Sequence, residues 1–212
     1  MSIFIKKKKN KVFCIGFNKT GTTTIERTFK EHGFLINDQG GASGFIDDWA
    51  KRDFKAIINY CKDYEAFQDF PFSFPFTYIA LDFAFPKSKF ILTVRDSPEQ
   101  WYKSITLFHG KLWANGRVPP TKEDLENAVR YYKGRPWQVN RFLYKSPEND
   151  PYNEKVLKQQ YMDHIEAVKE YFRFRENDLL VLNIAETNAY SRFCDFLELK
   201  PKFDKFPWEN KT

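Results

Sequence analysis

The sequence predicts a three-layer α/β/α fold around a central, mainly parallel sheet. Short apolar runs suited to buried strands recur at residues 12–17, 89–94 and 179–184. Longer segments between them carry apolar residues three or four apart, the period of a helix. A glycine-bounded loop from Gly16 to Gly21 then joins the first apolar run directly to a helix start. Strands that alternate with helices favour parallel pairing with helices on both faces.

The elements follow in order. Residues 12–17 form the first strand, and residues 22–32 a helix with Ile25 and Phe29 on one face and Gly33 as its stop. Residues 45–63 read as one helix with Trp49, Phe54, Ile57 and Ile58 inward. Residues 65–70 form a short strand before a proline-punctuated turn, and 77–85 another helix. After the strand at 89–94, residues 97–108 are helical, with Pro98 in the favoured first position. Thr121 and Asp124 resemble a capping box, with aspartate in place of the usual glutamate, opening a helix to about residue 133. Residues 153–175 carry the long amphipathic pattern Val156, Leu157, Tyr161, Ile165, Val168, Tyr171 and Phe172. A strand at 179–184 and a helix at 189–199 close the chain. All of this fits one domain over residues 1–212, in which 110–150, rich in Pro, Trp, Tyr and Arg, reads as an insertion covering the site.

The loop is a phosphate cradle of an unusual kind. Residues 16–24 read G-F-N-K-T-G-T-T-T. The two glycines have the spacing of the nucleotide-binding pattern G-x-x-x-x-G-K-[ST], yet Thr22 follows Gly21 and the lysine lies inside the loop at Lys19. In magnesium-dependent nucleotide enzymes the lysine after the second glycine reaches the terminal phosphates, and a strand-end carboxylate helps to hold the metal. Here the strand in K-F-I-L-T-V-R-D, residues 89–96, exits on Arg95, whose rigid donor fork suits a second phosphate; Asp96 keeps the metal alternative open.

With these motifs, and with D-L-L-V-L-N-I at 178–184 before a helix, the chain resembles the sulfotransferases that use 3′-phosphoadenosine 5′-phosphosulfate. The resemblance runs from about Val12 to the C-terminus and is weakest at 110–151. It implies a P-loop-type nucleotide-binding fold, that co-substrate, and no metal. It implies that Asn18, Lys19, Thr20, Gly21, Thr22 and Thr23 hold the 5′-phosphate, with Lys19 also stabilising the leaving oxygen, and that Arg95 and Ser104 share the 3′-phosphate. The arginine and serine stand nine residues apart where the family usually has eight, so Ser97 is an alternative to Ser104, or simply a helix cap. Lys211, with Asn210, matches a tail that folds back toward the donor in some relatives.

The acceptor hydroxyl needs a base. Asp69, in Q-D-F-P among Phe67, Phe70, Phe72 and Phe74, occupies the region where relatives carry a histidine, and an aromatic setting raises a carboxylate's pKa. A turn cap is its alternative role. His109, at a helix end, is the rival. His32 and His164 have no chemical partner in sequence, and the three histidines fit no compact metal-ligand spacing.

Composition sets outer bounds. A net charge of +6 suits an anionic nucleotide, but equally nucleic acid or a membrane surface. Lys6 to Lys9, with Lys11, read as a solvated arm rather than a nucleic-acid site, and no arginine–aromatic recognition motif accompanies them. No apolar stretch is long enough to span a bilayer and no signal-peptide core precedes the first strand, so a cytoplasmic location is the expectation. Cys14, Cys61 and Cys194 are odd in number, widely spaced and in apolar contexts, as reduced core residues would be. The 23 phenylalanines imply an aromatic core, with some rings lining an acceptor pocket. Arg117, Lys122, Arg130, Arg135 and Arg141 permit an anionic acceptor, or are a solvated face. A magnesium-dependent kinase and a noncatalytic nucleotide-binding protein are the alternative functions.

Overall fold

In the computed structural model, which describes residues 10–207, the chain opens with β1 (Val12–Cys14) and α1 (Thr22–Glu31). Three short helices follow, α2 (Gln39–Ala42), α3 (Ile46–Ala50) and α4 (Lys55–Tyr60), and then β2 (Ala66–Phe67), α5 (Thr77–Ala84) and β3 (Lys89–Thr93). The second half comprises α6 (Pro98–Trp113), α7 (Lys122–Asn127), β4 (Val129–Arg130), β5 (Tyr132–Lys133), α8 (Arg135–Leu143), α9 (Glu154–Tyr171), β6 (Leu179–Leu182) and α10 (Ala189–Phe196).

The central sheet is all-parallel, in the order β2–β1–β3–β6. Alternation along each strand sorts its side chains onto two faces. Phe13 of β1, Phe90 and Leu92 of β3, and Leu179 and Val181 of β6 join one core with Tyr78 and Leu81 of α5, Trp101 and Ile105 of α6, and Leu157, Tyr161 and Val168 of α9. Val12 and Cys14, Ile91, and Leu180 and Leu182 join the other, with Ile25 and Phe29 of α1 and Tyr190 and Phe193 of α10. Two cores on opposite faces of one sheet make the three layers. Phe13 stacks on Phe67 at 4.6 Å and on Phe90 at 5.4 Å, so the sheet centre is built of rings. Each such ring fully buried contributes about 1.5–3 kcal/mol.

Several sequence expectations are corrected. The helix expected over 45–63 is broken: α3 stops at Ala50, Arg52 adopts φ 61°, and the Asp53 carboxylate accepts the Lys55 N–H at 3.2 Å to start α4. Asp53 competes with the helix through its own side chain, which periodicity does not register. A helical turn also forms earlier, at α2, where Asp38 accepts the N–H groups of Gly40 and Gly41. The helix expected from Thr121 to about residue 133 ends at Asn127. The capping box does form, but Tyr131 at φ 70° turns β4 back on β5 as an antiparallel ribbon before α8. The helix expected over 97–108 instead runs on to Trp113.

Lys11 is no part of a solvated arm. Its ammonium lies between the rings of Phe85 and Phe67 and donates to the carbonyls of Cys61 and Tyr64, capping the start of the sheet. Lys6 to Lys9 lie outside the described residues. The three cysteines are buried and free. Among the described residues, no helix is long and apolar enough to cross a membrane.

Candidate active site

β1 gives way to the loop where the Ile15 N–H makes its last sheet bond, to the Ile91 carbonyl at 2.8 Å. The loop then lies directly on β3. A Cβ at Gly16 would stand 2.3 Å from the Thr93 carbonyl oxygen, so only glycine allows this approach. The Thr20 hydroxyl donates to the Phe17 carbonyl and lies 2.6 Å from the Thr93 hydroxyl, fastening the loop to the same strand. Gly21 has φ 104°, and a Cβ there would meet the Ile184 side chain at 2.4 Å. α1 begins immediately after it with no side-chain cap. Among the described residues the N–H groups of Thr22 and Thr23, which precede the first intrahelical donor, Ile25, have no backbone acceptor. Such a terminus favours an anion through its unpaired donors and the helix dipole.

Two cations converge on this terminus. Lys19 sits in the left-handed region at φ 67°, and its ammonium lies 4.1 Å from the centre of the Phe108 ring. Burial, then the nearby charges of Arg95 and Lys111, lower its pKa. Arg95 leaves the end of β3 and its Nε–H donates to the Lys19 carbonyl at 2.5 Å. Its pKa too is lowered by burial. Among the described residues neither cation has a carboxylate within ion-pair distance. Asp96, the other conceivable partner, accepts from Asn183 at 2.5 Å and from Gln100 at 2.7 Å instead. Two half-buried, mutually repelling cations beside a helix start are the kind of chemistry that suits a multiply charged anion.

A ring pair beneath the loop sets both cations. Trp101 of α6 and Tyr161 of α9 stack at 4.6 Å with only 7° between their planes. The Trp101 indole N–H donates to the Asn18 carbonyl at 3.0 Å, and the Tyr161 hydroxyl accepts the Arg95 N–H at 2.9 Å. One turn further along α9, the buried His164 donates from Nε2 to the Ile15 carbonyl at 2.8 Å and stacks on Phe17. Sequence reasoning left His164 and the partly buried His32 without partners. Their partners, Ile15 and, for His32, the Tyr190 hydroxyl at 3.0 Å, lie about 150 residues away in the chain and leave no local signal.

The loop opens on a cavity of about 320 Å³. Asn18, Lys19, Gly21, Thr22, Thr23 and Arg95 line it, and so do Asp69, Phe70, Phe74, His109, Arg130, Tyr131 and Arg135. Among the predicted site residues, Thr20 and Ser104 do not line it. Thr20 is fully buried with its hydroxyl committed to the loop's own anchorage, and Ser104 is buried on α6. Ser97 takes its alternative role as helix cap, accepting the Gln100 N–H at 3.1 Å. Lys211 and Asn210 lie outside the described residues. Among the described residues there is no cluster of three or more His, Cys, Asp or Glu side chains that could hold a metal.

Both candidate bases reach the cavity. Asp69 adopts φ 59° at the end of β2; its Oδ1 accepts the Phe70 N–H at 2.9 Å, and Oδ2 has no protein donor among the described residues. Burial raises its pKa against the opposing pull of the Phe70 N–H and of Arg130 and Arg135. His109 packs on Trp113 at 4.1 Å and bonds through Nδ1 to the Tyr152 hydroxyl at 2.7 Å, leaving Nε2 for the cavity. Burial, then Lys19, push its pKa down to about 3. Tyr152, Tyr144, Glu26 and Gln68 also line the cavity and were not foreseen. Gln68 adjoins Asp69 in sequence, which was a usable signal; the tyrosines carried none.

Comparison with curated proteins yields no match. Comparison with protein families matches residues 11–212 to the sulfotransferase domain, a span that takes in the loop, the Arg95 strand and the cavity walls. A parallel sheet whose strand exits carry a displaced lysine and an arginine is thus found in a chain matched over nearly its whole length, and the protein belongs to the sulfotransferase domain family.

Proposed function

We propose that this protein transfers a sulfuryl group from 3′-phosphoadenosine 5′-phosphosulfate to a hydroxyl of a small molecule or saccharide. The observation that carries the reading is the pairing of Lys19 and Arg95, two cations without carboxylate partners, beside the unpaired amides of Thr22 and Thr23. That array suits a donor with two phosphate positions. Lys19 and the first-turn amides take the 5′-phosphate side, and Arg95 takes the 3′-phosphate, with Lys211 assisting from the tail. The residues present fit this group without a metal.

In the transfer, the bond from sulfur to the 5′-phosphate oxygen breaks as a bond from sulfur to the acceptor oxygen forms in line. The departing oxygen keeps the electron pair, and Lys19 stabilises its growing charge; a preorganised donor of this kind is worth about 100-fold to 1000-fold in rate. The acceptor's proton goes to Asp69. Its raised pKa makes it the stronger base of the two candidates, since His109 is held near 3. His109 is the alternative, favoured by its electrostatic contact with Lys19; anionic donor bound at Lys19 would offset the charge that depresses it. The segment 110–150 covers the acceptor end of a single domain, and three buried free cysteines accord with a cytoplasmic setting.

The test is incubation with isotopically labelled donor and a mixed panel of phenols, alcohols and sugars in the presence of EDTA. Labelled sulfate esters that vanish in Lys19→Ala are expected. Phosphoryl transfer from magnesium ATP instead would establish a kinase, and donor binding with no product across the panel would leave a noncatalytic binder.

A further inference from the structure

The cavity holds a second cationic group that the donor does not use. Arg135, the first residue of α8, is only 8% exposed, yet among the described residues no hydrogen bond or ion pair satisfies its guanidinium and its Nε is buried without a partner. Its charge lies between the rings of Phe70 at 4.9 Å and Tyr131 at 5.0 Å, which orient it without neutralising it. Arg130, exposed and also lining the cavity, lies 5.3 Å from the centre of the Tyr131 ring.

Burying a charge without a counterion is strongly unfavourable, and a polar group left unsatisfied in a cavity wall marks a place where something else completes it. Asp69 attracts both arginines but pairs with neither, and Glu26, the other acid lining the cavity, forms its ion pair with Lys30. After burial, Arg95 and Lys111 lower the pKa of Lys19, whereas Arg130 is the cation that lowers that of Arg135. The cavity lining also includes the apolar side chains of Phe70, Phe74, Val139 and Leu143.

On the reading that Lys19 and Arg95 hold the donor, we propose that the acceptor is itself an anion: a hydroxyl-bearing molecule with an apolar or aromatic body, whose oxyanion is received by Arg135 between Phe70 and Tyr131, with Arg130 at the entrance. The anion anchors one end of the molecule at Arg135, and the hydroxyl lies toward Asp69 and the donor. Specificity then comes from leaving the guanidinium unsatisfied when a neutral acceptor binds.

Two matched probe pairs test this by calorimetry, with and without adenosine 3′,5′-bisphosphate: 4-hydroxyphenylacetate against its amide, and 4-hydroxybenzenesulfonate against its sulfonamide. The wild-type protein is expected to bind at least one anion about 10-fold or more tightly than its neutral partner. In Arg135→Gln that ratio should fall to about one, and Arg135→Lys should restore part of it. Equal binding of both members of both pairs by wild type overturns the proposal, even if Arg135→Gln fails to fold. So does a preference that survives in Arg135→Gln, or a loss of bisphosphate affinity in that variant, which would place Arg135 in the donor site. Failure of wild type to bind the bisphosphate, with the anion preference intact, would instead sink the donor assignment alone.

Discussion

The Arg95 guanidinium is tied to the backbone of Lys19: its Nε–H donates to the Lys19 carbonyl at 2.5 Å, and the Arg95 N–H is held in turn by the Tyr161 hydroxyl. The side chain proposed to read one phosphate position therefore also fixes the loop that presents the other cation. Arg95→Lys keeps the charge but loses this fork, so it should bind adenosine 3′,5′-bisphosphate about 10-fold or more weakly, as titration calorimetry would show. Retained affinity would mean that charge alone suffices.

Tyr161→Phe removes only the oxygen that accepts the Arg95 N–H. The stacking on Trp101 remains, so the expected loss of stability is about 0.5–1.5 kcal/mol by urea melts, accompanied by weaker bisphosphate binding. Loss of stability without any loss of binding would confine Tyr161 to the core.

Gly16→Ala should destabilise the fold by about 1–3 kcal/mol or more, because the added methyl meets the rigid β3 backbone rather than a movable side chain. Urea unfolding checks it; a variant with wild-type stability would show that the loop does not lie against Thr93 as described.

Asp69→Asn separates catalysis from stability. Turnover should drop by about 100-fold or more as the base is lost. The folded pKa of Asp69 is raised, so its ionised form is disfavoured in the fold: stability falls as pH rises from the ordinary carboxylate value through the folded one, and the deficit persists above it. At pH 7.5 the asparagine variant should therefore melt higher than wild type. Near-normal turnover in Asp69→Asn, with loss in His109→Asn, would transfer the role of base to His109.

The buried imidazoles give the opposite sign. Burial holds His164 down at about 4 and, with Lys19, His109 at about 3, so below about pH 6.5 the unfolded chain takes up protons that the fold refuses. Their contribution to stability is complete above about pH 6.5 and is lost as pH falls toward the folded values. Relative to wild type, His164→Gln should lose less stability, or gain more, on going from pH 7.5 to pH 5, as urea midpoints would show. An identical pH dependence in the two proteins would contradict the His164 assignment.

The sheet was legible because β1, β3 and β6 write their burial into consecutive residues, and the loop because the spacing of Gly16, Lys19 and Gly21 is itself a local pattern. Pro98 and the Thr121 capping box marked true helix starts for the same local reason. The break after Ala50 and the β4–β5 ribbon were not legible, since they turn on Arg52 and Tyr131 in left-handed conformations that those residue types do not advertise. At the site, Lys19, Arg95, Asp69 and His109, which line the cavity, were readable as candidates from motif and context. The residues that position them, Trp101, Tyr161 and His164, act across long sequence separations and look like ordinary helix core. Arg135 was visible only as one basic residue among several; its burial without a partner appears only in three dimensions.

Titration of the protein with adenosine 3′,5′-bisphosphate in EDTA tests the central claim most directly, with Lys19→Ala and Arg95→Ala beside wild type. Alanine keeps the Cβ that lysine already carries at φ 67°, so the first variant reports the ammonium group rather than the backbone. The predicted result is metal-independent binding that each substitution weakens by about 10-fold or more. Equal affinity in all three proteins, or binding of magnesium ATP in preference to the bisphosphate, would contradict it.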